Sequence, residues 1–383
     1  MPLRVLVLAA LVVPGAMLLG AAPPANPGWD TAAAARSLDA RMDLWWARAK
    51  VLKTGDGETR CLSCHTAVPY ALARPALRRA MGQAAPTAHE ARILDIARRR
   101  VTHVATAQPY YDHTDDKTAE SRGVEAVLNA LVLTHHDTLG RSSKGSDATR
   151  AAVARLWEVQ RPDGAWDWLN FGLEPYEAND SAFHGATLAA LAVGSGPGWQ
   201  ASQDERGKAG LVRLRSYLRT RQAGERLFNR AWALLAASSL SGVMTPSEME
   251  LTMRDLELAQ RPDGGWSIAG LGPWRWTKTE GPFAPPGTPD LALLDASDGY
   301  ATGLVVHAMR RAGAAATRPS VVKGLAWLRA HQDAERPGDD AWAPWRAHSL
   351  NFDREHGGEK GEPWRRMFMS DLATAFAVLA LTD

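Results

Sequence analysis

Along most of this chain apolar residues recur every three to four positions, the spacing of a helix with one buried stripe. Segments near 31–50, 86–106, 146–159, 204–221, 246–259 and 318–332 read this way. Between them lie segments that are small and apolar almost all round, near 68–82, 119–134, 181–193, 229–240, 298–312 and 370–381. Gly185-Ala-Thr-Leu-Ala-Ala-Leu, Tyr300-Ala-Thr-Gly-Leu-Val-Val and Leu372-Ala-Thr-Ala-Phe-Ala-Val are their cores. A helix apolar on every side must be enclosed. The two kinds alternate, so the pattern predicts an all-α fold of six hairpins, each an outer helix followed by an inner one. No stretch of useful length alternates at the two-residue period of a strand.

Composition changes that picture little. With 45% hydrophobic and 22% charged residues the chain can bury a large core. Its 44 basic and 42 acidic residues leave a formal charge of +2 and no basic stripe, so nucleic acid is not an expected partner. The N-terminus matters more. A short basic start, an apolar run from Val5 to Leu19 and the small residues Gly20-Ala21-Ala22 have the layout of a secretory leader, and residues 1–22 are read as a signal peptide. Pro14-Gly15 interrupts the run, which favours a cleaved leader over a stable membrane span, although an uncleaved leader would be a membrane anchor. Export to the periplasm or cell surface is therefore expected.

Export invites disulfides, yet the chain has two cysteines only, in Cys61-Leu62-Ser63-Cys64-His65. Two intervening residues let the thiols form thioethers to neighbouring vinyl groups of one haem, and the following histidine then lies beneath the iron. A redox-active dithiol and half of a zinc site are the competing readings. The first expects a βαβ context, and the second needs two more good ligands. The expectation is a single covalent haem c, with Cys61 and Cys64 as attachment points and His65 as axial ligand, in a haem-binding segment over 58–70.

The remaining chain repeats itself. Ala154-Arg-Leu-Trp-Glu-Val-Gln-Arg-Pro-Asp-Gly-Ala-Trp166 is echoed one hundred residues later by Asp255-Leu-Glu-Leu-Ala-Gln-Arg-Pro-Asp-Gly-Gly-Trp266. In each, Pro-Asp-Gly stops the outer helix. The turns Gln160 to Trp166 and Gln260 to Trp266 resemble the QW repeats of squalene-hopene cyclases and prenyltransferase-type α/α toroids. That resemblance implies an (α/α)6 toroid, expected to occupy 27–383 as one domain, and the position of the Cys-x-x-Cys-His motif puts the expected haem site in the first outer-to-inner loop. It also implies that Gln, Gly and Trp serve as scaffold. Cyclase chemistry is not expected: the Asp-x-Asp-Asp stretch of those enzymes has its nearest counterpart in Asp112-His-Thr-Asp115-Asp116, where the register is wrong. Prenyl transfer is weaker still, since its zinc site uses a cysteine and both are committed. The bland reading of Asp112 to Asp116, and of Glu177 to Asp180 and Asp295 to Asp298, is solvated acid at helix N-termini.

A ring of hairpins would bring all outer-to-inner loops to one mouth, so these acids, Ser370-Asp371 and the Cys-x-x-Cys-His motif should gather there. The second axial position decides between closed electron transfer and an open, ligand-binding iron. His113, in the neighbouring loop, is the favoured sixth ligand; Met81 and His103 are poorly placed, and His348, His356, Met367 and Met369 lie in the sixth hairpin's loop. His135-His136 read as a helix C-terminal pair. The expected function is an exported monohaem c-type cytochrome passing electrons to a redox partner protein. The alternatives are a haem-dependent oxidoreductase on an apolar, isoprenoid-like small molecule held in the barrel, and a haem sensor or binding module.

Overall fold

Helix starts in this protein are set by polar side chains that take up the backbone N–H groups a first turn leaves open. The computed structural model describes residues 28–55, 57–140, 145–196, 204–274, 294–336, 338–339, 342–351 and 363–383. Asp30 caps α1 (Thr31–Arg48), accepting from the Ala33 amide at 2.8 Å. Thr87 and Glu90 form a reciprocal capping box on α3 (Ala88–Thr102), and Thr245 and Glu248 do the same for α9 (Pro246–Leu258). Single caps start α4 (Asp115–Leu139) at Thr114, α5 (Asp147–Glu158) at Ser146, α7 (Glu205–Arg221) at Asp204 and α10 (Gly299–Arg311) at Asp298. The set is completed by α2 (Ala67–Ala80), α6 (Ser181–Gly194), α8 (Leu227–Ser239), α11 (Pro319–Ala330) and α12 (Phe368–Thr382).

The chain is mostly helical, as its periodicity requires, and both classes of helix fall where the pattern puts them. The largest shift is in α4, which begins at Asp115 because Thr114 Oγ1 accepts from the Lys117 amide at 3.2 Å. One feature runs against the reading: Leu52–Thr54 and Gly57–Thr59 pair as an antiparallel ribbon, β1 and β2. Three-residue strands are too short to show a period. Arg100, fully buried, holds this ribbon through Thr59 Oγ1 (2.9 Å) while pairing with Glu125 at 2.7 Å.

The even-numbered helices are enclosed. Gly299 through Met309 of α10 and Met369 through Ala380 of α12 are buried without a break. Helices α2, α4, α6, α8, α10 and α12 touch one another in chain order, and α12 returns against α2. The odd-numbered helices pack against them, α1 on α2, α3 and α5 on α4, α7 on α6, α9 on α8 and α11 on α10. Glycine lets some of these backbones meet directly: a Cβ on Gly303 would sit 2.6 Å from the Phe376 carbonyl carbon.

The repeated turns are structural joints. Gln160 donates to the Gly164 (3.0 Å) and Gly210 (3.1 Å) carbonyls, tying α5 to α7, while Trp166 Nε1 donates to Leu156 O at 2.9 Å. Gln260 reproduces this toward Gly264 (2.8 Å) and Ser320 (2.9 Å), and Trp266 toward Leu256 (2.7 Å). Among the described residues no helix is long and apolar enough to cross a membrane. The expected leader, 1–22, lies outside the described residues.

Candidate functional site

The loop from Arg60 to Thr66 joins β2 to α2 and carries the Cys-x-x-Cys-His motif. Trp45 Nε1 donates to Cys61 O at 3.2 Å. Ser63 Oγ accepts from the Thr66 (3.2 Å) and Ala67 (3.0 Å) amides, and so caps α2 from within the motif. Leu62 and Ser63 are buried, which fixes the loop while Cys61 and Cys64 stay half-buried and unbridged. Burial pushes both thiols above their ordinary range; the neighbouring Cys64 adds to this at Cys61, and the Glu177 carboxylate adds to it at Cys64. A reactive dithiol shows the opposite, a depressed thiol.

His65 is held on three sides. Its ring stacks on Phe368 (centroids 3.6 Å, 18° between planes) and meets the edge of Trp45 at 5.4 Å. Its Nδ1 lies 2.9 Å from Thr66 Oγ1, which donates onward to Asp371 Oδ2 at 2.6 Å. Asp371 in turn accepts from Arg41 Nε at 2.5 Å, and Arg41 also donates to Trp364 O at 2.7 Å. Burial lifts Asp371 above the usual carboxylate range, and the guanidinium pulls it back. Because the threonine proton is spent on a carboxylate, its oxygen accepts from Nδ1–H, and this assigns the lone pair of the imidazole to Nε2. That is the tautomer of a metal-ligating histidine oriented by a hydrogen-bonded carboxylate, here through one hydroxyl.

Cys64 and His65 line a cavity of about 710 Å³. Its aromatic wall includes Trp45, Tyr111, Phe171, Tyr176, Trp364 and Phe368. Lys50, Glu174, Glu177 and Asn351 supply polar groups. Glu174 is buried and paired with Arg226 at 3.0 Å, and its backbone is bound in both directions by the Asn351 amide (3.0 and 2.6 Å). The Tyr176 hydroxyl bonds that of Tyr300 on α10. Loops leading into α2, α4, α6 and α12 therefore meet in one cavity. Cys64, an imidazole with an Nε2 lone pair and an apolar space within the range of about 300–1,000 Å³ typical of ligand and cofactor pockets fit a haem attached at Cys64, whereas Cys61, also half-buried, is not part of this wall.

No known protein family matches this chain, and no curated protein sequence matches it either.

The other candidates fall as follows. His113 is exposed, lies edge-on to Tyr111 at 6.4 Å, and is not part of the cavity wall. Met369 is buried in that wall, whereas Met367 is buried outside it. Met81 and His103 cap the C-termini of α2 and α3, and His348 acts on Asp298. His356 lies outside the described residues. Asp115 and Asp116 are exposed first-turn acids of α4, as their bland reading has it, and Asp180 pairs with Arg226. His135 departs from the reading as a charged helix-end group: burial, aided by Arg79, pushes its pKa down to about 4, so it is neutral. Asp371 lies beside the motif as the hairpin order has it, whereas Arg41's share in the relay and the Glu174–Asn351 clasp have no sequence signal, the partners lying 330 and 177 residues apart.

Proposed function

We propose that this chain is an exported c-type cytochrome, with one haem attached through Cys61 and Cys64 and ligated by His65, that passes single electrons to or from a partner protein. The observation that carries the proposal is the joint placement of the motif: Cys64 and His65 line one aromatic cavity, and the relay from Nδ1 through Thr66 to Asp371 orients the imidazole with its lone pair on Nε2. A haem bound there would supply one-electron chemistry. The protein's part is to fix the imidazole, shield it with Phe368 and Trp45, and set its basicity through Asp371. The scaffold is proposed to be an α/α toroid of six hairpins, a reading supported by the order of contacts from α2 through α12 back to α2. Export rests on the leader-like residues 1–22.

The deciding experiment is a haem stain on a denaturing gel with a pyridine haemochrome spectrum. The protein is expressed with its leader alongside c-type maturation machinery, next to a Cys61→Ala/Cys64→Ala control. Haem that survives denaturation and vanishes in the control is the expected result. Its absence from the wild type overturns the proposal. A second reading, oxidoreduction of an apolar small molecule, is favoured by the cavity's reach beyond the motif to Phe171, Leu173 and Tyr176. Carbon monoxide separates the two. A low-spin iron that ignores it supports electron transfer, and a sixth ligand from Met369 or His113 is then identified by which alanine variant turns the iron high-spin.

A further inference from the structure

The far ends of the inner helices enclose a second cavity, of about 390 Å³, to which all six contribute. It is separate from the motif's cavity. Between them lies an aromatic partition in which Tyr176 meets His184 (4.8 Å), His184 meets Trp232 (4.6 Å) and Trp232 meets Phe376 (5.3 Å). Tyr176 lines the first cavity, Trp232 and Phe376 the second. Leu131, Leu191, Leu235 and Leu379 give the second cavity apolar sides.

Its charged groups are unequally committed. Helices α2 and α10 each carry two consecutive arginines in the last turn, Arg78-Arg79 and Arg310-Arg311. Arg78 pairs with Glu90 at 3.2 Å, and Arg310 donates to Ala380 O at 2.6 Å and also to Asp383 O. Arg79 and Arg311 line the cavity, and among the described residues neither forms an ion pair. Both share a wall with His135, which burial keeps neutral with lesser help from each guanidinium. The carboxylate on this wall, Asp383, is engaged: its Oδ2 bonds His307 Nδ1 at 2.5 Å. Two guanidiniums on the wall of one largely apolar cavity, whose Asp383 side chain is engaged by His307, form the recognition pattern for an anionic head on a hydrocarbon body.

We propose that this second cavity binds a single-chain amphiphile with a carboxylate head, the head held by Arg79 and Arg311 and the chain lying among the leucines. The proposal is independent of any haem chemistry. The competing role for the two arginines is to neutralise the carbonyl ends of α2 and α10, which needs no ligand.

Calorimetric titration of the full-length protein with dodecanoate, and separately with dodecanol, both below their aggregation concentrations, tests it. Saturable 1:1 binding of dodecanoate is expected, at least tenfold tighter than that of dodecanol. Arg79→Gln and Arg311→Gln should each weaken dodecanoate at least tenfold and leave dodecanol unchanged, with the helical circular dichroism of both variants intact. Dodecyl phosphate in place of dodecanoate shows which anion the pair prefers: a carboxylate bound more tightly supports the proposal, and a phosphate bound more tightly overturns its choice of head group. Equal binding of acid and alcohol, no saturable binding, or undiminished binding by both variants overturns it.

Discussion

Arg41 and Asp371 offer a sharp test of how the motif is held. Both are nearly sealed from solvent, at 5% and 4% exposure, and Asp371 accepts from Arg41 Nε at 2.5 Å, Arg41 Nη2 at 3.3 Å and Thr66 Oγ1 at 2.6 Å. Arg41→Met keeps much of the bulk but leaves the carboxylate with the threonine alone. Removing one partner of a buried ion pair costs about 3–5 kcal/mol, a large part of a total stability of about 5–15 kcal/mol. Arg41→Met/Asp371→Leu removes the stranded charge as well. What remains is the desolvation of orphaned hydrogen-bonding groups, about 1–3 kcal/mol. The double variant should therefore be more stable than Arg41→Met alone. Urea unfolding followed by circular dichroism, on all four members of the cycle, measures this.

The pH dependence provides a second readout. Burial already raises Asp371, and without Arg41 its folded pKa climbs further above the unfolded value. The folded state then binds a proton the unfolded state has released, so stability falls as pH rises through that window. The gap between wild type and Arg41→Met should narrow in acid. A cost below about 1 kcal/mol for Arg41→Met, or a cycle additive within about 0.5 kcal/mol, would refute the buried-pair argument.

Three further outcomes are expected. His184 is buried and pushed down from 6.5 to about 3, so it stays neutral when folded; its unfolded form takes a proton below pH 6.5, and stability is lost as pH falls from there. At about pH 5 the loss is about 2 kcal/mol at 1.36 kcal/mol per unit, and His184→Phe should remove that share of the acid slope in urea midpoints; an unchanged slope counts against the assignment. Gly303→Ala would place a Cβ 2.6 Å from Phe376 C and 2.7 Å from Ala377 N, and overpacking of about 1–3 kcal/mol should lower the Tm despite the better helix former. Gln260→Leu strands the Gly264 and Ser320 carbonyls at a cost of about 1–3 kcal/mol, whereas an unchanged Tm would mean that backbone bonds alone hold the turn.

Much of the helical order was legible because each feature is written locally. The Gln160 and Gln260 turns are seven-residue patterns whose hydrogen bonds repeat in space as they do in sequence. Inner helices such as α6 and α12 betray themselves by lacking a polar stripe. Local writing also explains the misses. The β1–β2 ribbon is too short to carry a period, and Thr114 advances α4 through one hydroxyl. At the site, the motif announced Cys61, Cys64 and His65. The order of hairpins brought Asp371 to the motif, but nothing near it announced Arg41 or Asn351, because these come from 24 residues before and about 290 residues after His65. The preference for His113 rested on loop adjacency, and adjacency of loops does not decide which side chain faces inward.

The relay itself should leave a mark on the iron. Under the proposed function, Asp371 is an anion joined to His65 through a single hydroxyl, so its charge draws the Nδ1 proton outward and makes Nε2 a stronger donor. A stronger donor stabilises the more oxidised iron, which lowers the midpoint potential. Thr66→Val keeps the shape of the side chain and cuts the relay, so the potential should rise; Thr66→Ser restores a hydroxyl at the same place and should return it toward the wild-type value. Spectroelectrochemical titration of the three haem-loaded proteins measures the order directly. If valine and wild type share one potential while serine behaves as both do, the hydroxyl carries no charge effect to the imidazole, and Asp371 is then an anchor for α12 against α1 and nothing more.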